Sequence, residues 1–284
     1  MIPQQKTIKK DIFLEGIGVH SGEKSSVRLI PADPNSGILL TNKSHPNDPI
    51  KIGSVIPEHA MHATILRTKT WAVSTIEHLM AALSGLEIDN LLVEIDGSEA
   101  PIFDGSALPF VQAIFAVGTQ EQDVPRRFLT PKQPISFEED GRFIEIKPAT
   151  EGDLSLTFDY SITFDHPLVP PGNIRTTLTP DYFAKEIAPA RTFGFLEQLP
   201  MLRQHGLAKG TTLGNTVVVG DEHVLNQLRF PDEFVRHKLL DLIGDLALAG
   251  KPLAGSITAK KTGHSFNRLV IEHLITHPEQ WKTI

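Results

Sequence analysis

The stretch from residue 229 to residue 250 constrains the fold more than any other part of this sequence. Asp232, which follows a proline, can cap the start of a helix, and Gly250, with a proline two residues later, can end it. The pattern therefore predicts a helix over residues 232–249. Apart from its ionisable residues the helix is apolar, with a run of Leu, Ile, Val and Ala, and a helix that is apolar almost all round is buried.

Three of the ionisable residues of this helix share one face. His237, Asp241 and Asp245 recur at every fourth position, so they form one polar stripe along the helix. Buried ionisable groups need partners. An imidazole and a carboxylate that lie one helical turn apart can bind the same divalent cation. The alternative is a His–Asp hydrogen bond inside a core. The stripe predicts one or the other.

The composition limits the classes of function that the chain can have. A chain of 284 residues can bury a large core, and its length favours two domains. The net charge of −7 argues against a general nucleic-acid binder. Because there is no cysteine, any metal ion must be held by His, Asp or Glu, and a cytoplasmic location is mildly favoured. The chain starts without the apolar core of a signal peptide and has no apolar run of membrane-spanning length, which predicts a soluble protein.

Strand-like runs and turns fill the first part of the sequence, before a helix over residues 74–85 and a strand over residues 90–95. A second helix is expected over roughly residues 106–118. Residues 121–127 are polar and include a proline, as in linkers between domains. We therefore predict that a first α+β domain spans residues 1–120.

The second α+β domain is predicted to span residues 128–284 and to repeat the order strands, helix, strand, helix. Its expected elements are strands over 128–137, 142–147 and 153–164 with a hairpin turn at 139–141, two short helices between 180 and 206, the helix already described, a strand over 253–260 and a helix over 265–276. This order suggests an ancient duplication. The helices that carry His78 and His237 would then occupy equivalent places, and a site between the halves would draw ligands from both.

Glu77 and His78 are the second pointer to chemistry. A catalytic zinc site usually has three protein ligands and one open position for water. His78 could join His237 and Asp241 as the third ligand, which leaves Glu77 beside the metal as a general base. The alternative is a capping box that begins at Ser74 and turns the Glu77 carboxylate back to its own helix start.

Two further segments carry candidate groups. His264 precedes a predicted helix cap at Ser265 and is expected at an exposed turn; if it approaches Asp245, the carboxylate would favour the imidazolium and make it a general acid. Thr192 could donate its hydroxyl to a developing oxyanion beside an apolar passage that includes Phe193. Its alternative role is a helix cap flanked by core aromatics.

One glycine-rich segment looks like a phosphate-binding loop but fails the test of spacing. Residues 18–25 contain Gly22 and Lys24, which are not adjacent, whereas the phosphate loop of nucleotide-binding proteins requires an adjacent pair. We therefore exclude a nucleoside triphosphate site of that kind.

Taken together, six segments resemble the UDP-3-O-acyl-N-acetylglucosamine deacetylase family, the zinc enzymes of the committed step of lipid A synthesis. The segments occur in the order found in that family and lie at residues 16–22, 74–79, 101–106, 190–194, 235–245 and 263–264. The resemblance implies that His78, His237 and Asp241 bind zinc, although this ligand set also suits ferrous iron. It also makes Glu77 the base that activates a water molecule.

The resemblance assigns further roles to residues in the matching segments. It makes His264 the acid that protonates the leaving amine, held in place by Asp245. Thr192 would help to stabilise the tetrahedral oxyanion. Lys238 would contact the substrate near its diphosphate, and Phe164 would stack against the uracil. His20 and Phe193 would complete the residues that contact the substrate.

The fold implied by the family is α+β, with two similar domains that each layer helices on a β-sheet and an active site between them. An insert in the second domain would form a channel for the acyl chain, and family precedent is a monomer. Some relatives have a cysteine near the metal; His62 stands at about that position here, either as an additional, inhibitory ligand or with no role.

Two rival functions remain open on the sequence. The same scaffold could act on a different amide or nucleotide sugar. It could also be a binding or regulatory module that recognises a nucleotide sugar without hydrolysing it.

Overall fold

The computed structural model describes residues 2–58 and 63–284. Up to residue 125, the elements in these ranges are β1 (Gln4–Ile8), β2 (Ile12–Ile17), β3 (Lys24–Pro31), β4 (Ile38–Asn42), β5 (His45–Lys51), β6 (Ile65–Arg67), β7 (Ala72–Ser74), α1 (Glu77–Gly85), β8 (Leu91–Asp96), α2 (Leu108–Val117) and β9 (Thr119–Pro125).

From residue 126 onward the elements are β10 (Leu129–Pro131), β11 (Ile135–Glu139), β12 (Arg142–Pro148), β13 (Leu156–Ile162), β14 (Gly172–Thr177), α3 (Pro180–Tyr182), β15 (Phe193–Phe195), α4 (Leu199–Gln204), β16 (Val217–Val219), α5 (Glu233–Ala247), β17 (Gly255–Lys260), α6 (His264–Thr276) and β18 (Trp281–Thr283). A π-helical turn (Phe183–Ile187) follows α3, and 3₁₀ turns lie at Leu196–Gln198 and Pro278–Gln280.

Two five-stranded sheets with the same topology organise the chain. Their strand orders are β2-β3-β8-β4-β5 and β11-β12-β17-β13-β14. In each sheet the third and fourth strands of this order are parallel, and all other neighbours are antiparallel. A helix precedes the third strand and another follows it, so α1 and α5 occupy equivalent places. The predicted α+β fold with two similar sheet-and-helix units is confirmed.

One face of each sheet is buried, as the alternation of apolar residues along the strands requires. Val27 and Leu29 on β3 are fully buried, and so are Ile144 and Ile146 on β12, while their neighbours along each strand are more exposed. These residues belong to one hydrophobic cluster that also includes apolar side chains of the helices. The cluster holds the two units together as well as each unit internally.

The helices α1 and α5 pack against each other across the two units. A Cβ atom added to Gly244 in α5 would lie only 2.0 Å from the carbonyl oxygen of Glu77 in α1. Only a glycine lets the two backbones approach so closely. The contact brings Glu77 and His78 to the stripe that His237 and Asp241 form on α5.

Some predicted elements differ from the observed ones for local reasons. The strand predicted over 128–137 is two strands, β10 and β11, with Pro134 in the break between them. The predicted hairpin is confirmed: Glu139 pairs with Arg142 across a two-residue turn in which both residues have positive φ.

The polar segment predicted as a linker is partly a strand. Most of it belongs to β9, which pairs antiparallel with β1. Its polar composition fits an alternation of exposed and half-buried positions along a two-stranded ribbon. The division of the chain into two domains at this segment stays a prediction.

The long helix begins where expected but without the expected cap. Asp232 makes no side-chain hydrogen bond to the helix start; its carboxylate instead accepts from Arg236 Nε at 2.6 Å. No helix in the described parts of the chain combines the length and apolarity needed to cross a membrane.

Candidate active site

Three buried side chains converge where α1 meets α5. His78 lies in the first turn of α1, and its Nε2 is 3.7 Å from Asp241 Oδ1. His237, one helical turn before Asp241 on α5, places its own Nε2 3.3 Å from the same oxygen. One ligand atom from each residue lies within 4.8 Å of the others, so the group could hold a metal ion.

The protonation states of this group suit a cation. His237 Nδ1 lies 3.1 Å from the carbonyl oxygen of Ala190, which makes Nδ1 the donor and leaves the Nε2 lone pair facing Asp241. Burial lowers the pKa of His237 to about 4, so this imidazole is neutral at pH 7. Burial acts to raise the pKa of Asp241, but its basic neighbours His237 and Lys238 outweigh burial and hold the pKa well below its usual range.

One buried oxygen in this group has no hydrogen-bond donor within the described residues. Asp241 Oδ1 faces the two imidazoles, whereas Oδ2 accepts a hydrogen bond from Lys238 Nζ at 2.6 Å. A buried carboxylate oxygen without a donor is costly unless it binds a cation. A buried His–Asp pair alone would leave this cost in place, so the residues fit a divalent ion with two imidazole ligands and one carboxylate ligand.

Glu77 points toward this group and away from its own helix start. Ile76 occupies the N-cap position of α1 without a capping side chain, so the alternative capping box is not formed. Glu77 Oε2 accepts a hydrogen bond from the main-chain N–H of Thr64 at 3.2 Å. Burial raises the pKa of Glu77, and the positive charge of His264 opposes the rise. A carboxylate with a raised pKa is better matched to proton transfer near neutral pH.

His264 is the first residue of α6 and is largely buried, whereas the sequence predicted an exposed turn. The N-cap residue of this helix is Gly263 and not, as predicted, Ser265. The approach to Asp245, which the sequence left as a condition, is present in the structure: His264 Nδ1 lies 2.9 Å from Asp245 Oδ2. The other ring nitrogen, Nε2, is 3.9 Å from Glu77 Oε1. Burial lowers the pKa of His264, but nearby carboxylates, that of Asp245 foremost, more than offset burial and raise it to about 9.

Two residues that the sequence did not indicate complete the surroundings of Asp245. Thr64 Oγ1 donates to Asp245 Oδ1, and Asn267 Nδ2 donates to Asp245 Oδ2 at 2.8 Å. Asn267 could have been found from the sequence, because it lies three residues after His264 on one face of a predicted helix. Thr64 gives no such signal, since it is 181 residues away from Asp245 along the chain.

Lys238 brings a permanent positive charge to the site. Burial opposes that charge, but the carboxylate of Asp241 more than offsets burial and raises the pKa of Lys238. The amino group is therefore protonated at neutral pH, and Lys238 lines the cavity between the two units.

A cavity of about 460 Å³ joins the polar group to an apolar arm. All the site residues predicted from the sequence line it except Asp245, which lies behind His264: His20, Glu77, His78, Phe164, Thr192, Phe193, His237, Lys238, Asp241 and His264. Phe164 and Phe193 meet edge to face with ring centroids 5.4 Å apart. Leu199, Leu202 and Val218 are among the residues that form the apolar arm.

Thr192 lies immediately before β15 and is not a helix cap. Its N–H donates to the carbonyl oxygen of Gly105 at 2.7 Å, and its own carbonyl accepts from Val217 N at 2.8 Å. The preceding Arg191 forms a buried ion pair with Glu233 at the start of α5 (2.8 Å), which the sequence did not indicate. This pair fixes Thr192 relative to the helix that carries His237.

The segment that looks like a phosphate loop binds a carboxylate of the protein itself. Glu99, which is buried, accepts from the main-chain N–H groups of His20 (2.9 Å) and Ser21 (2.8 Å), and from Thr75 Oγ1 at 3.0 Å. A Cβ atom on Gly18 would collide with the Glu99 carboxylate, so a larger residue here would displace that carboxylate from its N–H donors. Successive N–H groups in such a turn form an anion-binding concavity, and Glu99 uses it to hold His20 at the cavity.

The prediction for His62 lies outside the described residues. The site residues discussed above all lie within the two described ranges of the chain.

Comparison with known proteins gives one consistent result. The family model described as UDP-3-O-acyl N-acetylglycosamine deacetylase matches residues 5–276. Relatives named UDP-3-O-acyl-N-acetylglucosamine deacetylase include one from Chromobacterium violaceum, 38% identical over 98% of this chain and 92% of the relative. The relative from Myxococcus xanthus is 39% identical over 99% of this chain and 89% of the relative. The one from Acidithiobacillus ferrooxidans is 41% identical over 99% of this chain and 93% of the relative.

The matching relatives are aligned over almost their whole length as well as over almost all of this chain. The match therefore includes both sheet units and every element that contributes to the cavity. On these grounds the chain belongs to the UDP-3-O-acyl-N-acetylglucosamine deacetylase family.

Proposed function

We propose that the protein hydrolyses the N-acetyl group of UDP-3-O-(3-hydroxyacyl)-N-acetylglucosamine, giving acetate and the free amine, in lipid A biosynthesis. The observation that carries the proposal is the convergence of His78, His237 and Asp241 with a carboxylate base and a cationic imidazole on one cavity. Membership of the family supports the choice of substrate.

We propose zinc as the ion, held by the two imidazoles and Asp241. Zinc in such a site would make a water molecule more acidic and polarise the amide carbonyl. Glu77, whose pKa is raised, would accept a proton from the water molecule while the oxygen of that water attacks the amide carbon. His264, protonated at neutral pH, would give a proton to the nitrogen as the carbon–nitrogen bond breaks.

The remaining predicted residues are proposed to bind the substrate and its oxyanion. The Thr192 hydroxyl would donate to the oxyanion, and Lys238 would attract the diphosphate. Phe164, Phe193 and His20 would contact the rest of the substrate. The apolar arm of the cavity supports this assignment, because it offers a place for the 3-hydroxyacyl chain outside water.

Acetate release from UDP-3-O-(3-hydroxyacyl)-N-acetylglucosamine tests the function. We expect the purified protein to lose activity on chelation and to regain it with equimolar Zn²⁺, while His78→Ala stays inactive. A parallel restoration with Fe²⁺ under anaerobic conditions distinguishes the two candidate ions. No acetate from folded, metal-replete protein would contradict the proposal.

The two rival functions give different results in the same assay. An enzyme for another amide or nucleotide sugar would deacetylate a substrate without the 3-O-acyl chain at least as well as the acylated one. A binding module would bind the acylated substrate tightly and release no acetate.

We also propose that residues 1–120 and 128–284 act as two domains of a monomer in the cytoplasm.

A further inference from the structure

Thr64 lies between the groups proposed as acid and base and contacts both sides. It precedes β6 and is buried, with 3% of its surface exposed. Its main-chain N–H donates to Glu77 Oε2 at 3.2 Å, while its hydroxyl donates to Asp245 Oδ1. The same hydroxyl oxygen is 3.3 Å from His264 Nδ1.

Thr64 is itself held in place from the side of α1. Its carbonyl oxygen accepts from the N–H of Thr75 at 3.0 Å, two residues before Glu77. Through Thr75, whose hydroxyl donates to Glu99, it is tied to the loop that carries His20. The hydroxyl of Thr64 is therefore presented to Asp245 from a fixed backbone and not from a flexible loop end.

The carboxylate of Asp245 needs more than one donor to keep its orientation. Asn267 and His264 both donate to Oδ2, so Thr64 is the donor that the described residues supply to Oδ1. Without it, Oδ1 would be a buried, unpaired carboxylate oxygen, which favours rotation of the group toward another donor. Rotation would move Oδ2, and the imidazole that depends on Oδ2 would move with it.

We propose that Thr64 is a positioning residue that aligns the acid with the base across the two sheet units. Its hydroxyl fixes Asp245, which fixes His264, while its N–H fixes Glu77. The proposal rests on the function proposed above and adds a residue that does not itself line the cavity, although the two residues that it holds, Glu77 and His264, do. Loss of a residue that orients the ligands of a metal site costs about 10- to 100-fold in activity, and we expect a loss of the same order for a residue that orients the acid and the base.

The test compares three forms of the protein in steady-state acetate release. Thr64→Val keeps the shape and the N–H but removes the hydroxyl, and we expect kcat to fall roughly tenfold to 100-fold. We expect KM to change by less than about twofold, because no substrate contact is lost. Thr64→Ser restores the donor and should recover most of kcat.

A double-mutant cycle separates alignment from general damage. In the Asp245→Ala background the hydroxyl of Thr64 has lost its acceptor, so adding Thr64→Val should lower kcat by less than about threefold. A purely structural role predicts instead that the two losses multiply.

Thr7→Val is a matched control, since Thr7 is also buried and its hydroxyl donates to the Asn90 carbonyl at 2.7 Å. We expect Thr7→Val to lower the midpoint of unfolding without lowering kcat. A kcat for Thr64→Val within twofold of wild type, or full additivity in the cycle, would overturn the proposal. Failure of the proposed function would appear separately, as no acetate from the wild-type protein.

Discussion

The two oxygens of Asp241 face different partners. Oδ2 accepts from the ammonium of Lys238, and this bond leaves Oδ1 turned toward the imidazoles of His78 and His237. A carboxylate that is oriented before the ion arrives loses less freedom when it binds. Lys238 thus contributes to the metal group as well as to the charge of the cavity.

Glu77→Gln is the most direct test of the proposed base. The amide has the same size and can still accept from the N–H of Thr64, but it cannot take a proton from water. We expect kcat to fall about 100-fold or more, with zinc content and KM close to those of wild type. Acetate release and metal analysis measure both. Near-normal turnover would show that another group accepts the proton.

The pH dependence of kcat tests the coupling between Asp245 and His264. An acid must carry its proton, so activity is present below its pKa and is lost as the pH rises through that value. Burial lowers the pKa of His264, but the carboxylate of Asp245 raises it by more, so that the pKa is about 9. Asp245→Asn removes the charge, so the alkaline limb of the pH profile should move to lower pH. An unmoved limb would mean that His264 does not set it.

At this scale the sequence predicts contacts within one element and misses contacts between distant segments. The stripe on α5 is readable because helical periodicity is local. Thr64 and Glu99 were missed because each acts on a partner that tertiary folding alone brings near. The capping pattern before Glu77 was misleading, since tertiary hydrogen bonds outweighed the local one.

At the scale of helices and strands, the residues of a turn predicted the hairpin between β11 and β12 correctly. The turn at Asp140 and Gly141 has the dipeptide and the positive φ values that two-residue hairpins require. By contrast, β10 pairs with β18, which lies near the far end of the chain, and no local pattern could indicate that pairing. The sequence order of strands and helices was nevertheless enough to suggest the repeated unit.

The contact between α1 and α5 can be tested with Gly244→Ala. Alanine favours a helix by about 1 kcal/mol over glycine, but here its methyl group would meet the Glu77 carbonyl oxygen. Backbone cannot swing aside, and overpacking costs about 1–3 kcal/mol. We expect a lower free energy of unfolding in urea and a lower kcat.

Gly214→Ala is the control for this substitution. Its added methyl group would meet only Thr212 Oγ1, at an ordinary contact distance of 3.5 Å. We expect its stability and kcat to remain near those of wild type. Equal effects of the two substitutions would contradict the role given to the helix contact.

For the whole molecule, the three residues proposed to hold the metal ion come from both sheet units. Because His78 belongs to α1 and the other two proposed ligands belong to α5, an ion bound there would join the two units, and an ion that binds only the folded state raises stability. At 100 times the dissociation constant, free zinc would add about 2.7 kcal/mol. We expect chelation to lower the midpoint of thermal unfolding of wild type but not of His78→Ala. Equal midpoints with and without zinc would contradict the assignment of the ligands.

The repeated topology has a consequence for the origin of the chemistry. One sheet unit supplies His78 and Glu77, and the other supplies His237, Asp241 and His264, so neither unit holds a complete set of reactive groups. If both units descend from one ancestral unit, that ancestor needed a second copy facing it before three ligands could surround one ion. Hydrolysis of this kind would then date from the pairing of two copies, and each copy would since have specialised in one part of the proposed reaction.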